Sequence, residues 1–175
     1  MFVAEIVLLV VLVAADILTK NLSASLLTAL PDNRFPIIDG VISFKYLQNT
    51  GAAFGIFGEH TVYLAVFSAI ACVALGVFLV FNKKNGNRLM RAALIMILAG
   101  GLGNLFDRIF LGYVRDFIYF ELINFAIFNV ADAVLCIGVA LLLVYIIFVY
   151  KEPQKPVPVK DETRDAAEDN DVGKS

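Results

Sequence analysis

Within Gly103–Ala133 (GNLFDRIFLGYVRDFIYFELINFAIFNVADA) three aspartates, Asp107, Asp116 and Asp132, lie between two strongly apolar segments. Asp107 and Asp132 mark the inner edges of those segments, and Asp116 falls in the link. An ionised carboxylate in or beside hydrocarbon costs on the order of 3 kcal/mol even on mild insertion scales. Acids placed there need a partner, a shared proton or a chemical task. Two neighbouring carboxylates that share one proton can do hydrolytic chemistry, one as base towards water and the other as acid towards a carbonyl or leaving amine. Burial at a membrane edge raises carboxyl pKa values and keeps such a proton in place near neutral pH.

A structural reading stands beside the chemical one at each position. Asp116 has Arg115 as a neighbour and Asp132 can cap a helix. Asp107-Arg108 reads as a local ion pair at a helix end, and Asp16 with Lys20, spaced i, i+4, as a salt bridge with a lysine that snorkels to the interface. Asn104, Asp107 and Arg108 fall on one helical face, as do Asn129 and Asp132. A Cys136–His60 nucleophile pair has no support from spacing.

Composition sets the class. Of 175 residues 60% are hydrophobic and mean hydropathy is +0.83, where a soluble domain has roughly 45–50% apolar residues. This is the profile of a membrane protein. A net charge of −2 argues against a nucleic-acid partner. Cys72 and Cys136 lie in apolar runs and read as small fillers. One histidine, His60, leaves no zinc-protease motif.

The elements that must position the acids are four apolar runs, at 2–18, 61–81, 89–106 and 125–150. They predict an all-α polytopic membrane protein with four transmembrane helices in residues 1–150. The first run has no Lys or Arg before Lys20 and is expected to be a retained span, not a cleaved leader. In the third, Arg91 is expected to snorkel. The link between runs two and three carries Lys83, Lys84, Arg88 and Arg91 and no acid, which places it in the cytoplasm together with both termini. Asp16, Asp107, Asp116 and Asp132 then gather near the outer membrane surface.

The outer link 19–60 is long for a plain connection. Its stretch Phe35–Leu47 mixes β-branched and aromatic residues around Asp39-Gly40 and predicts a hairpin on the membrane surface. Gly100, Gly101 and Gly103 predict close helix packing. Residues 151–175 carry three prolines and seven of the sixteen acids and are expected to be a disordered cytoplasmic tail.

Five motifs in order carry a resemblance: Asp16-Ile-Leu-Thr-Lys20, Asn49-Thr-Gly-Ala-Ala-Phe54, Gly103-Asn-Leu-Phe-Asp-Arg108, Val114-Arg-Asp-Phe117 and Phe128-Asn-Val-Ala-Asp132. Together, over residues 16–132, the chain resembles the lipoprotein signal peptidases (signal peptidase II). The resemblance implies an intramembrane aspartic endopeptidase with Asp116 and Asp132 as catalytic dyad. It implies that Asn49, Gly51, Asn104, Arg108 and Asn129 bind substrate or order the site, and that Asp16, Lys20 and Asp107 support it. It further implies a small extracytoplasmic β-cradle, a loop at 51–60 over the site, and neither metal nor cofactor. The implied substrates are prolipoproteins carrying a diacylglyceryl cysteine and cut on its amino side. Contact with membrane lipid, inhibition by globomycin-type peptides and a monomeric state in the plasma (inner) membrane belong to the same expectation. The competing reading is a small proton- or ion-coupled transport protein. It would place acids near mid-bilayer on repeated broken helices, and no repeat is visible.

Overall fold

The structure, a computed structural model, describes residues 2–51, 61–82 and 87–150. The elements run α1 (Phe2–Leu27), β1 (Arg34–Ile38), β2 (Ile42–Asn49), α2 (Thr61–Phe81), α3 (Arg88–Leu111), β3 (Val114–Phe120) and α4 (Val130–Val144), which continues as a π-helical turn (Tyr145–Val149). Helices α2, α3 and α4 with its extension are long and apolar enough to cross a membrane. Residues 52–60, the tail from 151, and Lys83 and Lys84 lie outside the described residues, so the expected outer loop and disordered tail do too.

Helix α3 is the hub, packing against α1, α2 and α4. Half of its most apolar window is buried inside the protein, against 6% for α2 and 11% for α4. The outer faces of α2 and α4 present Val62, Phe67, Val73, Ile137 and Leu143, as expected of side chains that face acyl chains. Lipid is as apolar as leucine, so such helices associate through close packing and polar contacts. Glycines provide the packing between α3 and α4. A Cβ at Gly100 would stand 2.4 Å from the Ala131 carbonyl oxygen, and one at Gly138 2.8 Å from that of Ala93. Because both obstacles are backbone, Gly100→Ala should destabilise the protein by about 1–3 kcal/mol. Thermal unfolding in detergent measures this, with Gly76→Ala, where a Cβ meets nothing within 4 Å, as the reference.

The expected hairpin is present. β1 and β2 pair antiparallel, with Ile38 opposite Ile42, and turn through Gly40 at φ +71. β3 pairs with the other edge of β2 (order β1-β2-β3), and the chain at Phe128 bridges to Ile118 beyond it. Arg34 grips Glu121 with Nε and Nη2 at 2.6 and 2.8 Å, and Ser43 Oγ donates to the same carboxylate at 2.6 Å. This ties β1 and β2 to the turn that follows β3.

Four expectations change. α1 runs to Leu27, beyond the predicted 18, because Lys20 and Asp16 satisfy each other in the interior and need not end the helix. α3 runs to Leu111, where Gly112 closes it in the left-handed conformation (φ +81). α4 begins at Val130, not 125, because the preceding segment is extended along β3, with the Phe128 amide donating to the Ile118 carbonyl at 3.0 Å. Arg91 does not snorkel. It is 2% exposed, holds Glu5 through two 2.6 Å bonds, and donates to the Leu79 and Asn82 carbonyls at the end of α2. Within the protein, Glu5 and the carbonyls that end α2 satisfy the guanidinium, so it need not reach for an interface.

Candidate active site

Asp132 begins α4. Asn129 is its N-cap: its Oδ1 accepts from the Asp132 amide at 3.0 Å, and Asp132 Oδ2 accepts from the Asn129 amide at 3.1 Å. Such a reciprocal box satisfies two of the free N–H groups of a helix start. The cap leaves Asp132 Oδ1 for Asn104 Nδ2 on α3, at 2.7 Å. The structural reading of Asp132 as a cap holds, and it occupies only one of the two carboxyl oxygens.

Asp116 sits on β3 and is 1% exposed. Asn49 Nδ2 donates to its Oδ2 at 2.9 Å, and Asn129 Nδ2 to its Oδ1 at 2.6 Å. Asn129 Nδ2 also donates to Asn104 Oδ1 at 3.0 Å. Three asparagines, from β2, α3 and the start of α4, thus brace both carboxyl groups. Burial pushes the Asp116 carboxyl up to about 7, and the neighbouring Asp132 charge adds to this. The Asn49 and Asn129 hydrogen bonds act the other way.

Below this layer lies a buried ionic one. Lys20 Nζ, fully buried, is 2.8 Å from Asp16 Oδ2, 3.5 Å from Asp107 Oδ2 and 2.9 Å from Asn104 Oδ1. It does not snorkel either. Asp16 Oδ1 accepts from the Ala131 amide at 2.9 Å, so a carboxylate from α1 caps α4 as well. Asp107 pairs with Arg115, not with adjacent Arg108: Arg115 Nη2, Nε and backbone amide reach its two oxygens at 2.7, 3.2 and 3.0 Å. Arg115 therefore does not pair with Asp116. Side chains alternate along a strand, so neighbours in β3 point to opposite faces. Arg115 and Asn21, whose Oδ1 accepts from Arg115 Nη1, are positioning residues that the sequence reading missed. The only signal for Arg115 was its place in the Val114–Phe117 motif.

Asp116 and Asp132 share one cavity of about 310 Å³, walled also by Asn49, Arg108, Phe128 and Cys136. Cys136, expected as an apolar filler, thus lies on the cavity wall. Arg108 Nη2 donates to the Gly51 carbonyl at 3.3 Å, and its Nε is buried with no acceptor among the described residues. The Gly51 amide in turn donates to Asn49 Oδ1 at 3.0 Å. Of the expected site residues, Asp116, Asp132, Asn49 and Arg108 line this cavity, Asn104 and Asn129 hydrogen-bond its carboxyl groups, Gly51 holds Asn49 and Arg108 from beside it, and Asp16, Lys20 and Asp107 form the ionic layer. No cluster of metal-binding side chains occurs among the described residues.

A helical membrane protein with two carboxyl groups, Asp116 and Asp132, on the wall of one cavity beside a small sheet is the class that fold and site define. Its family follows from comparison with known proteins: the family model described as "Signal peptidase (SPase) II" matches residues 8–148, and the chain belongs to that family. It is 42% identical over 113 residues to a lipoprotein signal peptidase of Lactobacillus johnsonii, covering 65% of this chain and 73% of that one. To a lipoprotein signal peptidase of Clostridium tetani it is 36% identical over 146 residues, 82% of this chain and 92% of the other. A solved structure described as "Bacterial membrane enzyme structure by the in meso method at 2.3 A resolution" superposes with a TM-score of 0.72 at 31% identity. That match covers 87% of this chain and 94% of the other.

Proposed function

We propose that this protein is an intramembrane aspartic endopeptidase that removes the signal peptide from diacylglyceryl-modified prolipoproteins, cutting on the amino side of the lipidated cysteine. The observation that carries the reading is the pair Asp116 and Asp132, each braced by asparagine amides, in one cavity. Membership of a peptidase family decides against the transport reading.

In the mechanism, the pair holds one proton. The ionised carboxylate takes a proton from water as its oxygen attacks the scissile carbonyl, and the protonated one gives its proton to the carbonyl oxygen. The tetrahedral diol collapses as the carboxyl that took the water proton passes it to the leaving amine and the other carboxylate takes a proton from the diol, so the pair returns to one shared proton with no covalent enzyme intermediate. Arg108 Nε, buried without a protein acceptor among the described residues, supplies a donor to a substrate carbonyl. We place α1 as a fourth span, both termini in the cytoplasm, the β-cradle outside, and the site near the outer membrane surface, where a diacylglyceryl group meets the headgroups. The enzyme acts as a monomer with residues 1–150 as its peptidase domain, and globomycin-type peptides inhibit it by occupying the dyad.

The test is cleavage of a lipid-modified prolipoprotein and its unmodified form by purified protein in lipid, with the new N-terminus read by mass spectrometry. Cleavage before the lipidated cysteine is expected. No cleavage by folded protein, or cleavage elsewhere, would refute the reading. With the Asp116 carboxyl at about 7, the dyad loses its shared proton as pH rises through that value, so kcat/KM should fall about tenfold per pH unit above it. The Asn49 bond lowers that value, so Asn49→Ala should move the falling limb to higher pH. The same shift has a stability consequence. The folded protein binds this proton more tightly than the unfolded chain, so the Asp116 contribution is complete below about pH 4 and is lost as pH rises through about 7.

A further inference from the structure

A second cavity, of about 470 Å³, adjoins the first. It is walled by Lys45, Gln48, Thr50, Tyr119 and Asn124, and shares Asn49, Phe125, Ala126 and Ile127 with the cavity of the two aspartates. The two have different characters. Away from the shared wall, the first continues onto α4 at Ala133, Leu135 and Cys136, along a membrane-crossing helix. The second runs out over β2 and β3 and is lined mainly by polar side chains, with Lys45 as its one charged residue among the described residues. A signal peptidase substrate has the same asymmetry, an apolar segment before the cut and a chain that must continue into water after it.

Lys45 is half-buried, its Nζ 5.8 Å from the centroid of the Tyr119 ring, and Tyr119 is held in turn by donating its hydroxyl to Asn124 Oδ1 at 2.7 Å. Its cross-strand neighbour Arg34 is matched by Glu121 and Asp39. No carboxylate pairs with Lys45 among the described residues. Asn49, four residues further along β2, touches Asp116. At the rise of a strand that separation is roughly 13 Å, which an extended peptide covers in about four residues.

We propose that this polar groove takes the substrate segment that follows the scissile bond, and that Lys45 reads its charge, favouring an acidic side chain about three or four residues past the cut and disfavouring a basic one. The inference rests on the peptidase reading and adds a specificity-determining residue to it. Lys45 contacts neither carboxyl group of the dyad and acts on substrate recognition alone.

The experiment compares kcat/KM for three lipid-modified substrates that differ only in Asp, Ser or Lys at the third and fourth positions after the cut. Wild type should prefer Asp over Lys by about three- to tenfold, the size of a partly exposed charge interaction that changes sign, and the preference should shrink as salt is raised. Lys45→Gln should flatten the series and Lys45→Glu should reverse it, with the Ser substrate cut at a rate close to wild type. The milder Lys45→Gln and the salt series carry the test if charge reversal disturbs folding. Equal rates for all three substrates in wild type, or a preference unaltered in the Lys45 variants, would overturn the inference while leaving the peptidase reading in place. Failure of wild type to cut any of them would remove that reading and the inference with it.

Discussion

Asp116→Asn and Asp132→Asn should each lower kcat for prolipoprotein cleavage by about a thousandfold or more while the protein still folds. Loss of a positioned acid or base costs roughly 10²–10⁴-fold, and the amide can neither take the proton from water nor return one to the leaving amine. The two variants should differ in stability. In Asp116→Asn, one of the two amide donors, Asn49 Nδ2 or Asn129 Nδ2, meets an NH₂ group where it met an oxygen, and the burial cost of a charge disappears. In Asp132→Asn the same conflict falls on Asn104 Nδ2 or on the Asn129 amide. The second case disturbs the box that starts α4, so Asp132→Asn should be the less stable by about 1 kcal/mol. Circular dichroism and thermal unfolding alongside single-turnover cleavage separate the two effects. Cleavage that survives either change would remove that residue from the dyad.

Removing the cation beneath the site should have the largest effect on stability. Lys20→Met leaves Asp16 and Asp107 buried at 1% and 0% exposure. Asp107 retains Arg115, but Asp16 loses its only cation among the described residues. Breaking a buried pair by removing one partner costs about 3–5 kcal/mol, and Asn104 Oδ1 also loses its Lys20 donor. The melting temperature in detergent should fall sharply. Because Asp16 caps α4 through the Ala131 amide, the start of α4 should loosen and cleavage should decline with it. Adding Asp16→Asn to Lys20→Met should restore part of the loss, since a neutral amide can still accept from Ala131 without leaving a charge unpaired. Coupled neighbours of this kind interact by about 0.5–3 kcal/mol. A melting temperature unaffected by Lys20→Met would show that the ion pair is not what holds α1 against α3 and α4.

The family frame makes particular features of the chain intelligible. The glycines of α3 and α4 let two backbones approach, and that approach sets Asn104 of α3 within reach of Asn129 and Asp132 of α4. In a bilayer, where apolar contact between helices gains little over contact with lipid, small residues and buried polar bonds do the holding. Site and scaffold are therefore largely the same residues.

The sequence by itself determined the class, the hairpin and the set of residues that converge. Hydropathy is summed along the chain, so the apolar runs are visible locally, and Asp39-Gly40 announces its turn by backbone chemistry alone. Acids beside hydrocarbon are costly enough to stand out singly, so Asp16, Asp107, Asp116 and Asp132 were legible from physics, whereas the asparagines, Gly51 and Arg108 came only with the motif resemblance. Spacing also gave the Asp16–Lys20 pair, but tertiary structure alone decided the partners of Asp107, Arg108 and Arg115. Adjacency suggested Asp107 with Arg108 and Asp116 with Arg115, whereas the fold pairs Asp107 with Arg115 and leaves Arg108 to the cavity. Strand alternation and helix packing, not sequence distance, govern which charges meet. The strand β3 was equally hidden, because Val114–Phe117 is buried and shows no polar alternation. The ends of α1 and α4 moved for a related reason. Lys20 does not end α1, because Asp16 one turn earlier neutralises it and α3 buries the pair, and α4 starts late because β3, remote in the chain, takes up the backbone groups at Phe128.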